Sequence, residues 1–347
     1  MRILFVTWRD LAHSQAGGSE VLVDRLARGL LDRGHEAAVV CGGPVDQRAY
    51  PVVDAGGTYS QYLRAPIVYW RRFRRWDLVV DVENGVPFFS PLWRRGPVMC
   101  LVHHVHGDQW EQRFPPVVAR VGWFLERRVM PWVYRSSVFL AVSPSTASAL
   151  REIGVAGSQI HLLPNAVEVR EPGLEDAAPL FLAVARLVPH KRIDLLLGIW
   201  DRVRPLVGGT LVIVGSGPEE FRLRAMAGEG VDFRGHVDEE EKAELLDRCW
   251  MLVHTAQHEG WGLVAMEAAG ASRPTLAFDV AGVRDAIISG RTGVLVHSDD
   301  EMVEEWVRLA GDPHTRRQLG AEARNRAASF SVQALVGRFL DIASGTG

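Results

Sequence analysis

Short apolar strands alternate with helical segments along this 347-residue chain, and the alternation runs through both halves. In the first half, the pattern predicts strands at residues 2–8, 37–41, 77–81, 97–102 and 138–142. In the second half, it predicts strands at 180–185, 210–214, 231–233, 250–254, 274–277 and 293–296. Strands separated by helices at this spacing favour a parallel, doubly wound sheet. We therefore predict an α/β protein with two Rossmann-like domains that face each other across a cleft.

The segment from Glu168 to Pro179 separates the two halves, with prolines, a glycine, several charges and little periodicity. Such a composition is typical of an interdomain linker. We expect an N-terminal domain at 1–168, a linker at 169–179 and a second domain at 180–329. The last residues, 330–347, are expected to form a helix that packs back on the N-terminal domain.

Three features of the chain bear on its compartment. No segment approaches the roughly 18 uninterrupted apolar residues of a membrane-spanning helix. The first eight residues read as a buried strand and lack the features of a signal peptide. The three cysteines, Cys41, Cys100 and Cys249, are odd in number and widely spaced, which suits a reducing compartment. We expect a cytoplasmic protein.

Charge is distributed unevenly along the chain. Residues 1–170 contain 20 arginines and 15 acidic residues, whereas the remainder has 19 basic and 27 acidic residues. This asymmetry suggests that the first half meets an anionic partner. Lys191 and Lys242 are the only lysines in the sequence, which draws attention to both.

The sharpest motif runs from His258 to Glu267 and places Glu259 and Glu267 on either side of seven residues. A strand is predicted to end near Thr255, and a helix to begin near Leu263. Unpaired amides at a helix start suit a diphosphate, and a glycine there allows close approach. Glu267 lies one turn into the helix, where it can accept hydrogen bonds from ribose hydroxyls. The alternative is that Glu259 caps the helix and Glu267 is an ordinary paired or solvated residue.

A second motif covers residues 185–194, after the strand predicted at 180–185. Arg186 can donate two parallel hydrogen bonds to phosphate, and Lys191 can supply a compact positive charge. The alternative interpretation makes them two surface cations near a helix start. Positive charge there opposes the helix dipole, which weakens that alternative.

Glycines and histidines follow two strands of the first half. Gly17 and Gly18 come after the first strand and by themselves indicate only a tight turn. His103, His104 and His106 crowd the end of the strand at 97–102. Zinc binding is one interpretation, but no carboxylate or cysteine lies nearby in the sequence at ligand spacing. Structural histidines are another. We expect no metal.

The segment 258–267 resembles the Glu-seven-residues-Glu motif of retaining glycosyltransferases with the GT-B fold, and of glycosyltransferase family 4 in particular. Gly260, Trp261 and Gly262 match that pattern, as do Met266-Glu267-Ala268. Arg186 and Lys191 also match. Arg192 stands where the family usually has glycine, and Asp285 where it usually has glutamate.

The resemblance implies a set of site residues in this chain. The catalytic residues would be Glu259, Arg186, Lys191 and an active-site histidine, either His103 or His104. The donor-binding residues would be Gly17, Gly18, Arg186, Lys191, Gly215, Val237, Glu259, Gly260, Trp261, Gly262, Leu263, Val264 and Glu267.

The resemblance also implies an activity. A hexose-type sugar would pass from a UDP, GDP or ADP sugar to a hydroxyl group of a lipid, glycan or small metabolite. The anomeric configuration would be retained through front-face attack, without a metal or other cofactor. A nucleotide-sugar-binding protein, a nucleotide-sugar epimerase and a phosphorylase are the alternatives on the same fold.

Residues 62–76 interleave arginines with aromatic side chains, a pattern that suits an anionic membrane surface. Peripheral attachment at the inner face of the membrane is the resulting hypothesis. The alternative is an amphipathic helix that packs Tyr69, Trp70 and Phe73 inward and leaves its arginines solvated. Nucleic-acid binding is not expected, because the whole chain is nearly neutral, with a formal charge of −3.

Overall fold

The computed structural model describes residues 1–13, 16–57, 59–83, 85–107, 110 and 114–345, and these residues form two compact units. The first unit comprises Met1–Ala166 together with Val332–Gly347. The second unit is continuous, Val167–Ser331. Within the described residues, no helix is long and apolar enough to span a bilayer. Residues 346 and 347, the end of the predicted C-terminal helix, lie outside the described part.

The first unit contains a seven-stranded parallel sheet with the order β3-β2-β1-β4-β5-β6-β7. Its strands are β1 (Arg2–Arg9), β2 (Glu36–Gly42), β3 (Val52–Asp54), β4 (Leu78–Glu83), β5 (Val98–Val102), β6 (Val138–Ala141) and β7 (Ile160–Leu162). The strand order reverses direction between β1 and β4, so the carboxyl ends of these strands mark a place where α/β sheets bind ligands.

Helices cover both faces of this sheet. They are α1 (Gly18–Asp32), α2 (Gln61–Val68, continued by a π-helical turn at Tyr69–Phe73), α3 (Pro116–Phe124, continued through Leu125–Val129 to Met130–Val133) and α4 (Pro144–Glu152). Residues of α2, α3 and α4 pack in one core cluster with Leu4 and Val6 of β1. These three helices therefore share one face of the sheet.

The second unit contains a six-stranded parallel sheet with the order β10-β9-β8-β11-β12-β13. Its strands are β8 (Leu180–Val184), β9 (Thr210–Val214), β10 (Val231–Gly235), β11 (Met251–His254), β12 (Thr275–Phe278) and β13 (Gly293–Val296). Here the order reverses between β8 and β11. Trp200 and Trp306 fill the core on one side, each with its ring centroid within 6 Å of that of Phe181.

The helices of the second unit are α5 (Ile193–Val207), α6 (Glu220–Met226), α7 (Glu239–Arg248), α8 (Leu263–Gly270), α9 (Val283–Ala286), α10 (Asp299–Gly311) and α11 (Pro313–Ala327). The last helix, α12 (Val332–Ser344), belongs to the first unit. Its Phe339 packs on Phe5, which points to the face of the sheet opposite Leu4 and Val6.

Residues 169–179 belong to the second unit. The Arg170 amide donates to the Gly270 carbonyl, and the Asp176 amide donates to the Arg248 carbonyl. The carboxylate of Glu175 lies 3.2 Å from the Arg316 guanidinium. The segment is therefore bound along its length to the unit that follows it.

The prediction of doubly wound parallel sheets is confirmed, and the predicted strands coincide with the observed ones to within two residues. The sequence missed β3 and β7. Each has only three residues, lies at an edge of its sheet and carries an exposed side chain, so neither forms a recognisable apolar run.

Candidate active site

The predicted donor-binding residues of the second unit lie at the carboxyl edge of its sheet. Arg186 follows β8, Gly215 follows β9, Val237 follows β10, and the segment 259–262 follows β11. Because all six strands are parallel, these loops share one edge. The sheet reverses its order between β8 and β11, where open α/β sheets bind their ligands.

Lys191 and Glu259 come from loops that are 68 residues apart, and they form a salt bridge. Thr255 holds the two loops together, because its hydroxyl donates to the carbonyl oxygens of Lys191 at 3.1 Å and Arg192 at 3.0 Å. Arg192 has a φ of 52°, the left-handed conformation in which glycine is usual. Arg192 therefore adopts a backbone conformation that a glycine would adopt more easily.

Glu259 is surrounded by positive and hydrogen-bonding groups. His254, the last residue of β11, places its Nε2 atom 3.0 Å from Glu259 Oε1. Burial would raise the pKa of Glu259, but the Lys191 charge and the His254 contact outweigh it and hold the pKa well below its usual range. Glu259 is therefore an anion at neutral and mildly acidic pH. His254 was not among the predicted site residues, although it ends the strand that precedes the motif.

Glu267 forms the second lysine–glutamate pair of the site. Lys242 of α7 lies 3.2 Å from Glu267 and 2.9 Å from Glu239. Burial opposes the charge on Lys242, but Glu267 and Glu239 together raise its pKa. The only two lysines of the chain thus pair with the two glutamates of the motif. Lys242 stood out in the sequence because lysine is rare in this chain, but no role was predicted for it.

Gly262 sets the start of α8, between the two glutamates. Its φ of 72° is left-handed, and a Cβ atom there would lie 3.2 Å from the Cβ of Ala286. Both facts favour glycine. The first N–H groups of a helix lack intrahelical acceptors, so they are available to an anion. Leu263 and Val264 form this first turn and are half-buried.

The Trp261 side chain is buried, and its ring packs at 5.3 Å from that of Phe330. A donor could therefore meet the Trp261 backbone but not its indole ring. Gly260, beside it, is half-buried. A Cβ atom on Gly282 would overlap the carbonyl oxygen of Glu259, so the segment before α9 packs directly on the backbone of the motif.

The loop that carries Arg186 packs on the glycine turn after β9. The Leu187 amide donates to the Ser216 carbonyl at 2.9 Å. Gly215 has a φ of 129°, and a Cβ atom there would overlap the Ala185 carbonyl oxygen. Glycine at 215 therefore lets the two loops approach. Val237, two residues after β10, is half-buried at the same edge.

In the first unit, Gly17 and Gly18 form the start of α1, just after β1. The Gly17 amide donates to Glu20 Oε2 at 2.7 Å, and Glu20 Oε1 lies 3.2 Å from Arg9 Nε. Glu20 and Arg9 are both buried. This buried pair fixes the Gly17 backbone at the start of α1.

His103 and His104 follow β5 and differ in exposure. His103 is buried, its carbonyl oxygen accepts a hydrogen bond from Thr146 Oγ1 at 3.1 Å, and its Nε2 has no hydrogen-bond partner within the described residues. Burial lowers the pKa of His103 to about 4, so its imidazole is neutral at neutral pH. His104 is half-buried, with its ring 4.1 Å from that of His106.

The fold brings two carboxylates to His106 that the sequence does not place nearby. Glu83 ends β4, and Glu126 lies in the middle of α3. One potential ligand atom from each of Glu83, His106 and Glu126 lies within 4.8 Å of the others, and all three residues are buried. Two carboxylates therefore lie beside His106 in the fold, although none lies at ligand spacing in the sequence.

Two doubly wound parallel sheets, with a helix start and paired charges at the carboxyl edge of the second, define the class of GT-B-fold glycosyltransferases. The family profile described as glycosyl transferases group 1 matches residues 166–326, and that described as glycosyltransferase family 4 matches residues 16–171. The chain belongs to glycosyltransferase family 4.

Relatives with known names support this assignment. A glycogen synthase of Mycobacterium tuberculosis is 30% identical over 385 residues, covering 95% of this chain and 91% of the relative. A GDP-mannose-dependent alpha-mannosyltransferase of the same species is 30% identical over 195 residues. That match covers 52% of this chain and 48% of the relative, so the chain aligns with about half of that protein.

Solved structures share the fold at low sequence identity. Anabaena HepE, crystallised with UDP and glucose, superposes with a TM-score of 0.82 at 17% identity. The match covers 99% of this chain and 100% of HepE. The GT-B fold predicted from the sequence is confirmed.

Proposed function

We propose that the protein transfers a hexose-type sugar from a UDP, GDP or ADP sugar to a hydroxyl acceptor, with retention of the anomeric configuration. The observation that carries this proposal is the pairing of Glu259 with Lys191 and of Glu267 with Lys242 on either side of the Gly262 helix start. A diphosphate on the helix N-terminus would lie between the two pairs. The HepE complex with UDP and glucose supports a nucleotide-sugar donor.

The departing diphosphate carries the charge that this site has to stabilise. Lys191, Arg186 and the first amides of α8 offer positive charge and N–H donors at one edge of the sheet. Such preorganised groups stabilise a developing anion without the help of a metal. We therefore propose that the reaction does not depend on a metal. Glu259 holds Lys191 in place and, as an anion, can accept hydrogen bonds from hydroxyl groups of the donor sugar.

In the proposed front-face reaction, the bond from the anomeric carbon to the diphosphate oxygen breaks while a bond to the acceptor oxygen forms on the same face. The acceptor proton passes to the departing phosphate oxygen. A neutral His103 can hydrogen-bond a sugar hydroxyl but supplies no positive charge. Glu259 stabilises the positive charge that develops on the sugar ring.

A panel of nucleotide diphosphates and their sugars tests the proposal by thermal unfolding and by turnover. The ligands of one nucleotide, UDP, GDP or ADP, are expected to raise the melting temperature more than those of the other two. A ligand that binds only the folded state stabilises that state by mass action. The matching nucleotide sugar should then release its diphosphate when a hydroxyl acceptor is present. Binding without any turnover would instead support a nucleotide-sugar-binding protein, and interconversion of the free sugar nucleotide would support an epimerase.

We also propose that the first unit docks on an anionic membrane through the outer faces of α2 and α3. Four large apolar side chains are exposed at helical spacing along α2 and the turns on either side of it: Tyr59, Leu63, Ile67 and Trp70. Leu63 is 79% exposed. Tyr69 and Phe73 point inward, so the expected inward packing holds for these two rings but not for Trp70. The arginines of residues 62–76 are exposed, and the sequence 59–76 contains no acidic residue.

The outer face of α3 is equally apolar. It exposes Val117, Val118, Val121, Phe124 and Trp132. The four arginines of residues 116–135 accompany this face, whereas the only acidic residue of that stretch, Glu126, is buried. Soluble helices normally carry polar residues on their outer face, and contiguous exposed apolar residues mark an interaction surface. Arginines around apolar and aromatic residues suit an anionic bilayer.

Liposome co-sedimentation tests the membrane surface directly. The protein should bind vesicles that contain about a third anionic lipid at least roughly 10-fold more strongly than neutral vesicles, because each arginine near the surface contributes about 1 kcal/mol. A Val121→Ser and Phe124→Ser double variant should lose most of this binding. Phe221→Ser is the matched control, because Phe221 is 88% exposed on the second unit. Equal binding of both kinds of vesicle would remove the membrane proposal.

A further inference from the structure

Glu126 is a fully buried carboxylate on the inner face of α3, and it binds the loop that follows β5. Its Oε1 accepts a hydrogen bond from the His106 amide at 2.6 Å. Its Oε2 accepts from the Gly107 amide at 3.2 Å and from the Trp110 indole N–H at 2.9 Å. One side chain therefore satisfies three N–H groups of a single loop.

Burying the Glu126 carboxylate between α3 and the sheet has a large desolvation cost. Within the described residues, no lysine or arginine lies within salt-bridge distance of it, and only His106 Nδ1 approaches, at 3.4 Å. A buried carboxylate without a cation is costly, and an apolar side chain would pack α3 at lower cost. The value of the carboxylate must lie in the three N–H groups it holds, because their conformation depends on it.

The loop that Glu126 holds is continuous with the candidate histidines. The His106 ring packs on the His104 ring with their centroids 4.1 Å apart and their planes tilted by 35°, and its centroid lies 5.4 Å from that of the Trp110 ring. Trp110 lies directly over Gly122 of α3, where a Cβ atom would come within 2.5 Å of the indole. Fixing His106 and Trp110 therefore restrains His104 and, along the chain, His103, whose carbonyl oxygen also accepts a hydrogen bond from Thr146.

Glu83 completes the arrangement from β4. Its Oε1 accepts from the Gly85 amide at 2.5 Å, and its buried Oε2 has no hydrogen-bond partner in the described part of the chain. Burial, and then the nearby charge of Glu126, raise the pKa of Glu83. Two carboxylates so close cannot both ionise at low cost. A proton shared between the two carboxylates therefore resides on Glu83.

We propose that Glu126 is a positioning residue for sugar transfer, which holds the loop at 103–107 so that His103 and His104 keep a fixed geometry. This inference rests on the proposed function. Three of the four oxygens of Glu83 and Glu126 already accept N–H groups, so direct hydrogen bonding explains the cluster better than a bound ion does.

The decisive variant is Glu126→Gln, whose amide has the same shape but turns one acceptor into a donor that faces an N–H group. We expect kcat to fall by roughly 10- to 100-fold, the cost of a reacting group displaced by about 1 Å. The KM for the donor should change by less than about twofold, because the proposed donor residues Lys191, Glu259 and Glu267 lie in the other unit. Glu152→Gln, the same change at an exposed position of α4, is the control.

Hydrogen exchange tests the anchoring without any assay of activity. The amides of His106 and Gly107 should exchange at least about 10-fold faster in Glu126→Gln than in the wild type, with unchanged protection of the β5 amides. Trp110→Phe removes one N–H donor but keeps a ring over Gly122, so it should give a smaller loss of kcat. This milder variant keeps the inference testable if Glu126→Gln fails to fold.

Several results would overturn the inference. Wild-type kcat in Glu126→Gln would show that the loop geometry does not matter for transfer, and unchanged exchange at His106 and Gly107 would show that Glu126 does not hold it. Elemental analysis that finds one zinc or manganese per chain in the wild type, and none in Glu126→Gln, would show that an ion holds the loop instead. If the wild type transfers no sugar from any donor, the proposed function fails, while the exchange experiment still decides whether Glu126 anchors the loop.

Discussion

Replacing Lys191 by alanine is expected to lower kcat/KM for sugar transfer by about 100- to 1,000-fold, the usual cost of removing one group that stabilises a developing anion. The variant loses the positive charge beside the departing diphosphate. It also leaves the Glu259 anion without its lysine partner, although His254 stays in contact, so the site would repel the diphosphate. Steady-state kinetics with the preferred donor, together with calorimetric titration of the nucleoside diphosphate and monophosphate, measure the effect.

The pair of titrations identifies what Lys191 does. Affinity for the diphosphate should fall much more than affinity for the monophosphate, since Lys191 is assigned to the departing phosphates. Arg202→Ala removes a cation from α5 that forms an exposed salt bridge with Asp300, and it should behave as the wild type. Undiminished sugar transfer by the Lys191→Ala variant would contradict the assignment of the donor site.

Replacing Glu267 by alanine is expected to weaken nucleotide binding by roughly 10- to 100-fold, because hydrogen bonds to a charged group contribute about 1.5–3 kcal/mol. The ribose hydroxyls lose their acceptor. Lys242 would also lose one of its two carboxylates while it remains largely buried. Calorimetric titration should show the same loss for the nucleoside monophosphate and diphosphate, in contrast to Lys191→Ala, because both ligands carry the ribose.

The control for this variant is Glu240→Ala, an exposed glutamate on the same helix as Lys242. It should leave nucleotide affinity unchanged. Wild-type affinity in Glu267→Ala would contradict the ribose role and would leave the Lys242–Glu267 pair as a purely structural contact between α7 and α8.

The sequence predicted most of the fold because buried parallel strands form apolar runs that need no knowledge of their neighbours. It predicted the start of α8 for a similar local reason, since Gly262 precedes the helix directly. The sequence left the orientation of Trp70 open between a ring packed inward and a ring that faces a membrane. Trp70 continues the exposed row of Leu63 and Ile67, whereas its neighbour Tyr69 is buried.

Long-range pairs of the site were harder to predict. Lys191 meets Glu259 only because β8 and β11 are neighbours in the sheet, and Lys242 meets Glu267 although the two residues come from different helices. Glu83 and Glu126 likewise reach His106 from a different strand and a helix. Such contacts depend on the order of the strands in the sheet. The hydrophobic periodicity of the sequence does not reveal that order. The rarity of lysine was the only local signal for Lys242.

The return of α12 to the first unit has a consequence for biosynthesis. The second unit is one continuous segment, so it can acquire all its contacts while the ribosome is still translating. Most of the first unit precedes that segment in the chain but needs Phe339 of α12 to cover Phe5, and α12 is synthesised after the second unit. The first unit is therefore completed only after the second has been translated, and until then it exposes an apolar sheet face on which chaperones could act.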